Sequence, residues 1–164
     1  MTKSFVHYDK YVSPVGPLYF IFSGKILSGV SFTKPDKVPF REGSTPAGFL
    51  KEIAGYFRGS IKSFKQKTVF LQGTEFEKDV WRTLNEIPFG ETRTYKWVAE
   101  RIGRPGASRA VGQALSKNPI PIVIPCHRVI ESDGSMGGYS SGVHTKVRLL
   151  ELEYYSIQQT DKTM

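Results

Sequence analysis

The chain has 164 residues with 39% apolar content, including 11 Phe and 8 Tyr, which is enough to bury a core in one or two small domains. Apolar runs fall well short of the ~20 residues of a membrane-spanning helix, the first residues lack the apolar segment of a signal peptide, and a single cysteine excludes an internal disulfide or a cysteine-based zinc site. We therefore expect a soluble cytoplasmic protein, whose net charge of +8 fits either a polyanionic partner or a solvated basic surface.

The first 73 residues predict a strand-rich domain. Up to about residue 33, alternating and aromatic-rich runs are broken by turn-forming glycines, a pattern typical of an antiparallel meander. Residues 34–46 predict a surface loop, and the sequence from Gly48 predicts a short helix. The apolar stripe of that helix consists of Phe49, Ile53, Tyr56 and Phe57.

The pattern becomes helical after a break near Gln72. Thr74 and Glu77 fit a capping box. The helix that they begin has an apolar stripe made of Phe76, Val80, Trp81, Leu84 and Ile87. It should end at residues 88–90, where the sequence is Pro-Phe-Gly.

Two further short helices are predicted around an Arg-Pro-Gly connection. Thr94 can cap the first, which should end at Gly103, and the second should run from about Ala107 to Lys117. The inward side chains are Trp97, Val98 and Ile102 on the first helix and Val111, Ala114 and Leu115 on the second. Such a pair resembles a helix-turn-helix, although short helix pairs are also common in proteins that never bind nucleic acid.

The second helix of this pair has an unusual outer face. Its members are Ser108, Arg109, Gly112, Gln113 and Ser116. Most are small, whereas a helix that reads the major groove usually presents several long hydrogen-bonding side chains. Residues 92–128 also carry seven Lys and Arg against one acid, Glu100. We therefore predict docking in the minor groove, with Arg109 inserted into the base stack.

The only cysteine, Cys126, follows a β-branched apolar run. A free cysteine usually packs as a small apolar side chain, but Pro125 fixes the backbone just before this thiol. His127 and Arg128 should raise the local positive potential, which favours thiolate over thiol. These neighbours favour a nucleophilic role for Cys126.

The last predicted helix, from about Val143 to Tyr155, supplies a carboxylate. Its core-facing stripe contains Lys146, Leu149, Leu150 and Glu153. A buried carboxylate needs a partner, and His127 is the best candidate for Glu153. Glu151 and Asp133 are weaker alternatives because they should face solvent. A Glu–His–Cys relay follows, with a water between imidazole and sulfur unless the chain turns sharply at Cys126.

The chain from about Phe76 to Glu153 resembles the O6-alkylguanine-DNA alkyltransferases, also called methylated-DNA–protein-cysteine methyltransferases. The motifs that carry the resemblance are PCHRV at 125–129, RAVG at 109–112, NP at 118–119, PFGET at 88–92 with TY at 94–95, and GYS at 138–140. The first 73 residues match only in kind. The implied fold is α+β, with an N-terminal antiparallel-sheet domain (1–73), a mostly helical domain containing a helix-turn-helix (74–156) and a polar tail (157–164).

The resemblance implies that Cys126 accepts an alkyl group from O6-alkylguanine in double-stranded DNA, once per molecule and without a cofactor. Some relatives bind zinc in the N-terminal domain, but in this sequence His7 is the only histidine before the active site and there is no other cysteine, so we expect no metal. It implies that His127 acts through a water, that Glu153 orients it, and that Asn118 holds the site together. Tyr95 would turn the 3′ phosphate and help to protonate the leaving base. The DNA-contacting residues would be Thr94, Tyr95, Arg104, Ala107, Ser108, Arg109, Gly112 and Gln113. The base pocket would be lined by Pro121, Val129, Tyr139, Ser140 and Ser141.

Two other functions compete with this one. A DNA-binding damage sensor would use the same helix pair and keep Cys126 as a structural residue, and a cysteine hydrolase would use Cys126 and His127 for repeated turnover. The protein is expected to be a monomer. Whether O4-alkylthymine is accepted is left open, and Ser141, where some relatives have glycine, leaves open the response to bulky guanine analogues.

Overall fold

A computed structural model describes residues 6–36 and 41–163. The chain divides into two compact units, Met1–Leu71 and Gln72–Met164. The first holds a four-stranded sheet and one helix, and the second holds four helices. The α+β fold class is therefore confirmed. Within the described residues no helix combines the length and apolar character needed to cross a membrane.

The sheet of the first unit has the strand order β3-β2-β1-β4. Its strands are β1 (Val6–Ser13), β2 (Gly16–Ser23), β3 (Ile26–Ser31) and β4 (Arg41–Glu42). The first three strands pair antiparallel, which confirms the meander. The short β4 instead pairs parallel to β1 and lies within the stretch predicted as a loop, of which residues 37–40 fall outside the described residues. The two residues of this edge strand are both charged and show no hydrophobic alternation, so no sequence pattern predicted the strand.

Helix α1 (Ala47–Arg58) covers the sheet with aromatic side chains. The ring of Phe49 meets Phe20 and Phe22 of β2 edge to face, with centroids 4.9 and 5.7 Å apart. Phe49, Ile53 and Tyr56 are buried as predicted, whereas Phe57 is half-buried and stacks on Tyr11. This core is held together by burial of aromatic surface.

The second unit contains four helices. They are α2 (Glu75–Leu84), α3 (Tyr95–Arg101), α4 (Ser108–Ser116) and α5 (Val143–Thr163). The capping box of Thr74 and Glu77 is present at the start of α2, and the Thr94 hydroxyl accepts from the Trp97 backbone N–H at the start of α3. Both helix-start predictions are confirmed.

Helix α5 continues to Thr163, beyond the predicted end at Tyr155, so residues predicted as a polar tail are helical. Ile157 packs closely on Gly90, since a Cβ built on that glycine would lie 1.9 Å from the Ile157 Cδ1 atom. The hydroxyls of Ser156 and Thr160 donate to carbonyls four residues earlier in the helix. The polar composition of the segment therefore did not indicate that it is helical or that Ile157 packs against Gly90.

Candidate functional site

The backbone turns sharply at the cysteine. Residues Cys126–Arg128 form a single 3₁₀ turn, which leads into β6 (Val129–Ile130). The Cys126 N–H donates to the Ile124 carbonyl, and the Arg128 N–H donates to the Pro125 carbonyl. Strand β6 pairs parallel with β5 (Arg93–Thr94), which immediately precedes α3. The turn places the thiol and the base of α3 in the same part of the unit.

Cys126 is only 5% exposed and lines a cavity of about 530 Å³. The other lining residues are Tyr95, Ser108, Arg109, Gly112, Leu115, Ser116, Glu131, Gly138, Tyr139 and Ser140. The thiol is thus buried and yet faces open space. In the described part of the chain, no three His, Cys, Asp or Glu side chains are grouped to hold a metal ion.

The cavity brings together predicted residues from three separate segments. Helix pair α3–α4 contributes Tyr95, Ser108, Arg109 and Gly112, the turn contributes Cys126, and the loop before α5 contributes Tyr139 and Ser140. The other predicted pocket residues, Pro121, Val129 and Ser141, are not among the residues that line this cavity. Pro121 and Val129 are buried and Ser141 is half-buried. Thr94, Arg104, Ala107 and Gln113 lie on or next to the helix pair.

The buried carboxylate of Glu153 accepts four hydrogen bonds. Its Oε2 atom lies 2.6 Å from His127 Nε2, and Arg128 donates from Nε to Oε1 (2.8 Å) and from Nη2 to Oε2 (3.2 Å). The Gly90 backbone N–H donates to Oε1. Because both carboxylate oxygens are engaged, the position of the His127 ring is fixed from α5 and from Gly90, which lies between α2 and β5.

The protonation states of this cluster follow from its contacts. Burial alone would raise the pKa of Glu153, but hydrogen bonds and charges from His127 and Arg128 lower it to about 2. Burial lowers the pKa of His127 despite the opposing effect of Glu153. Near neutral pH the carboxylate is therefore ionised and the imidazole is neutral, with its proton on Nε2. The Nδ1 atom of His127 is then a buried acceptor that has no hydrogen-bond partner among the described residues.

Arg128 does not activate the thiol, contrary to the prediction from its sequence position. Its guanidinium is bound to Glu153 and to the Ile87 carbonyl (2.8 Å), and it lies over the Phe89 ring. Burial raises the pKa of the Cys126 thiol, so the resting sulfur is protonated and needs a base. Neutral His127 supplies no positive charge either. His127 and Arg128 are adjacent to Cys126 in the sequence, but their side chains are directed to Glu153.

The side-chain groups that lower the pKa of the thiol come from other segments. They are the Asn118 amide, the charge of Lys146 and the Tyr139 hydroxyl. Asn118 also donates to the Ile124 carbonyl at 2.8 Å and accepts from the Ile120 N–H, so it fixes the chain that leads to the cysteine. Lys146 was missed as a site residue, although its position on the core-facing stripe of α5 was the available signal.

The outer face of the helix pair keeps two unpaired positive charges. Of the seven basic residues in 92–128, five form ion pairs with acids: Arg93, Lys96, Arg101, Lys117 and Arg128. Arg104 and Arg109 have no acidic partner within 4.0 Å in the described ranges 6–36 and 41–163. Both are exposed, one in the turn and one at the start of α4. Of these two charges, that of Arg109 lies at the cavity, since this residue is part of its lining.

Tyr95 joins the helix pair to the loop before α5. Burial raises the pKa of its half-buried hydroxyl, which also accepts a hydrogen bond from the Gly138 backbone. The phenol is therefore protonated at neutral pH and can act as a donor. The indole N–H of Trp81 on α2 donates to the Ala114 carbonyl at 2.8 Å and holds α4 in place.

Comparison with known proteins gives one consistent family. A family model described as the DNA-binding domain of 6-O-methylguanine DNA methyltransferase matches residues 75–155. A methylated-DNA–protein-cysteine methyltransferase of Methanosarcina barkeri is 44% identical over 160 residues, covering 90% of this chain and 97% of the relative.

Solved structures agree. Mycobacterium tuberculosis OGT in complex with DNA matches with a TM-score of 0.88 and 38% identity, over 92% of this chain and 94% of that one. The O6-methylguanine-DNA methyltransferase of Pyrococcus kodakaraensis matches with a TM-score of 0.67 and 26% identity, over 90% of this chain and 98% of that one. The likeness therefore includes the strand-rich first unit as well as the unit that holds the cavity.

Proposed function

Because the chain belongs to the methylated-DNA–protein-cysteine methyltransferase family, we propose that it repairs DNA by moving the alkyl group of O6-alkylguanine onto Cys126. The observation that carries the proposal is the position of the thiol. It lines a cavity of about 530 Å³ that opens beside α4, and it adjoins a buried pair of His127 and Glu153. A structural cysteine would need neither the cavity nor the pair.

The substrate base has to leave the double helix to reach this thiol. The O6 atom of a stacked guanine is inaccessible to a buried sulfur, and flipping the nucleotide out costs a few kcal/mol. The small residues on the outer face of α4 allow close approach to the minor groove, and Arg109 is exposed at the cavity mouth. Arg109 would fill the gap that the flipped nucleotide leaves. The neighbouring contacts to DNA would come from Thr94, Arg104, Ala107, Ser108, Gly112 and Gln113.

The reaction needs a base for the thiol and an acid for the leaving guanine. The thiol proton passes to Nδ1 of His127 through a water, while ionised Glu153 stabilises the imidazolium that forms. The sulfur attacks the alkyl carbon, the bond from carbon to O6 breaks, and its electron pair stays on the guanine. Tyr95, protonated at neutral pH, would donate the proton that the departing base requires. The products are unmodified guanine and an S-alkylcysteine.

The reaction consumes the protein. A thioether has no activated bond that water can cleave, and the sequence contains no second cysteine to remove the alkyl group. Each chain therefore reacts once. A lone, buried thiol with this role also suits a reducing compartment, and we place the protein in the cytoplasm.

The remaining site residues would shape the base pocket. Tyr139 and Ser140 line the cavity directly. Val129, through its carbonyl, and Pro121 and Ser141 would support the wall behind them. We assign the strand-rich domain to residues 1–73 and the transferase domain to residues 74–156, in agreement with the extent of the family match.

The experiment that tests this function uses duplex DNA carrying O6-methylguanine with a labelled methyl group. We expect one equivalent of label on the protein, located on Cys126 by peptide mass spectrometry, and then no further reaction. Cys126→Ala is the matched control and should bind the same DNA without taking up label. Binding without transfer by the unmodified protein would instead indicate a damage sensor, and repeated turnover of an ester would indicate a hydrolase.

A further inference from the structure

Lys146 is the most deeply buried lysine of the described chain, with 0% of its surface exposed. An ammonium group withdrawn from water must replace its hydration with protein contacts, or it destabilises the fold. A leucine or methionine would fill this place on α5 without that requirement. We therefore expect the buried ammonium group to have a role that explains why this free-energy cost is tolerated.

The ammonium group bonds to a single loop. Its Nζ atom donates to the Met136 carbonyl and to the Gly138 carbonyl (3.2 Å), and it lies 5.9 Å from the centre of the Tyr95 ring. The residue between the two carbonyls, Gly137, has a φ of +69°, and a Cβ there would lie 2.5 Å from the Tyr95 hydroxyl oxygen. The loop is thus held between Lys146 on one side and Tyr95 on the other.

This loop leads directly into the wall of the cavity. Gly138, Tyr139 and Ser140 follow one another in the chain and all line the cavity with Cys126. The loop 134–142 contains four glycines in nine residues, at positions 134, 137, 138 and 142, so its backbone has little conformational preference of its own. A contact with two of its carbonyls therefore determines where Tyr139 and Ser140 stand.

We propose that Lys146 is the positioning residue of the base pocket, whose ammonium holds the loop 136–138 against Tyr95 and so sets the wall formed by Tyr139 and Ser140. The inference rests on the proposed alkyl transfer and adds to it the residue that orders the pocket before a base enters. The side chain touches the loop rather than the reacting atoms, so its effect on the reaction is exerted through Tyr139 and Ser140.

The charge of Lys146 gives the proposal a second, separable readout. The titratable groups that face it are Cys126, Tyr95, His127 and Glu131, from the turn, α3 and the loop after β6. Burial lowers the pKa of Lys146, whereas Cys126 and Glu131 raise it. Since the ammonium also lowers the pKa of the thiol, removing it should move the pH at which the sulfur becomes reactive upward.

The test compares Lys146→Met, which keeps the length of the side chain without its charge, with Gly137→Ala, which displaces the loop without changing any charge. Single-turnover transfer from O6-methylguanine DNA is measured at increasing DNA concentration. Both variants should lose about 10- to 100-fold in the rate at saturating DNA. The DNA concentration for half-saturation should stay unchanged for Lys146→Met, because the helix pair is intact in that variant. Lys78→Met, which removes a charge from α2, is the matched control and should behave as wild type.

A second measurement follows the reaction of the thiol with iodoacetamide across pH. The midpoint should rise more for Lys146→Met, which removes the ammonium charge, than for Gly137→Ala, which keeps that charge and alters only the contribution of Tyr139. General unfolding would not produce this order. Wild-type transfer rates in Lys146→Met would overturn the proposal. If Lys146→Met fails to fold, Gly137→Ala decides, and an unchanged saturating rate in that variant overturns the proposal. Failure of the wild-type protein to accept any methyl group would instead overturn the proposed function.

Discussion

The two units of this molecule differ in whether charged side chains are buried in them. The core of the first unit is aromatic, and its buried polar side chains within residues 6–36 and 41–71 are Ser13, Ser28 and Thr45, none of which carries a charge. The second unit buries four ionisable groups besides the cysteine: His127, Arg128, Lys146 and Glu153. The units are of similar size, but among the described residues only the second buries charged groups. Only the second unit therefore incurs the free-energy cost of desolvating ions.

The difference separates a unit that is stabilised by apolar burial from a unit that holds a reactive site. Apolar burial in the first unit stabilises the fold without demanding special partners. In the second unit each buried ion has partners that fix a geometry: Glu153 holds the His127 ring, and Lys146 holds the loop 136–138. We infer that changes in the first unit alter stability alone, whereas changes to the buried ions alter stability and reaction together.

The largest effect is expected for Glu153→Gln. The change leaves Arg128 buried without its anionic partner and removes the group that orients His127, so we expect a loss of about 3–5 kcal/mol in the free energy of unfolding together with a severe loss of methyl transfer. Chemical denaturation and single-turnover transfer measure the two effects. Normal transfer in a folded variant would contradict the role of the His127–Glu153 pair.

The same variant tests the acid sensitivity of the second unit. The pKa of Glu153 is lowered from 4.5 to about 2, so its contribution to stability is present above pH ~4.5 and is lost as the pH falls toward 2. The free energy of unfolding of the wild type should therefore decline through this range more steeply than that of Glu153→Gln. Parallel pH profiles for the two proteins would show that the carboxylate titrates normally.

Phe49→Ala tests the comparison in the first unit, by removing a side chain of its aromatic core. Phe49 is 1% exposed and meets two rings of β2, so its truncation should lower the free energy of unfolding by about 3–5 kcal/mol. In protein that remains folded at low temperature, the rate of methyl transfer at saturating DNA should be unchanged. A large loss of that rate would show that the first unit takes part in the reaction.

Arg109→Ala addresses an exposed charge of the second unit. Because this side chain has no acidic partner in the described ranges, its removal should leave thermal stability unchanged. Repair of duplex DNA should fall by roughly tenfold or more, as the loss of an important interface contact does. The reaction of Cys126 with iodoacetamide serves as the control and should be unaffected. Unchanged duplex repair would refute the proposed insertion of Arg109 into DNA.

The smallest effect is expected for Thr74→Ala. The variant removes one half of the capping box at the start of α2 and should lower the free energy of unfolding by about 1 kcal/mol. Methyl transfer should stay at the wild-type rate, because α2 bears no residue that lines the cavity. A change in transfer without a change in stability would reveal an unexpected link between this helix start and the site.

The local features of the fold were readable from the sequence because they depend on neighbours in the chain. The capping box of Thr74 and Glu77 joins residues three positions apart, and the helical stripe that placed Glu153 in the core repeats every three or four residues. The strands of the meander pair through short turns. The longest of these patterns, the β1–β2 hairpin, is complete within residues 6–23, so no knowledge of the tertiary fold was required.

The sequence by itself determined the antiparallel meander, the helix starts at Thr74 and Thr94, the motif around Cys126 and the inward position of Glu153. Only the tertiary structure decided that Arg128 turns away from the thiol to Glu153, 25 residues along the chain, and that Lys146 binds the glycine-rich loop. It also decided that segments of α3, α4 and the turn enclose one cavity. The physical reason is that a buried charge goes to whichever partner the packed elements bring within hydrogen-bonding distance, and sequence spacing does not encode that distance.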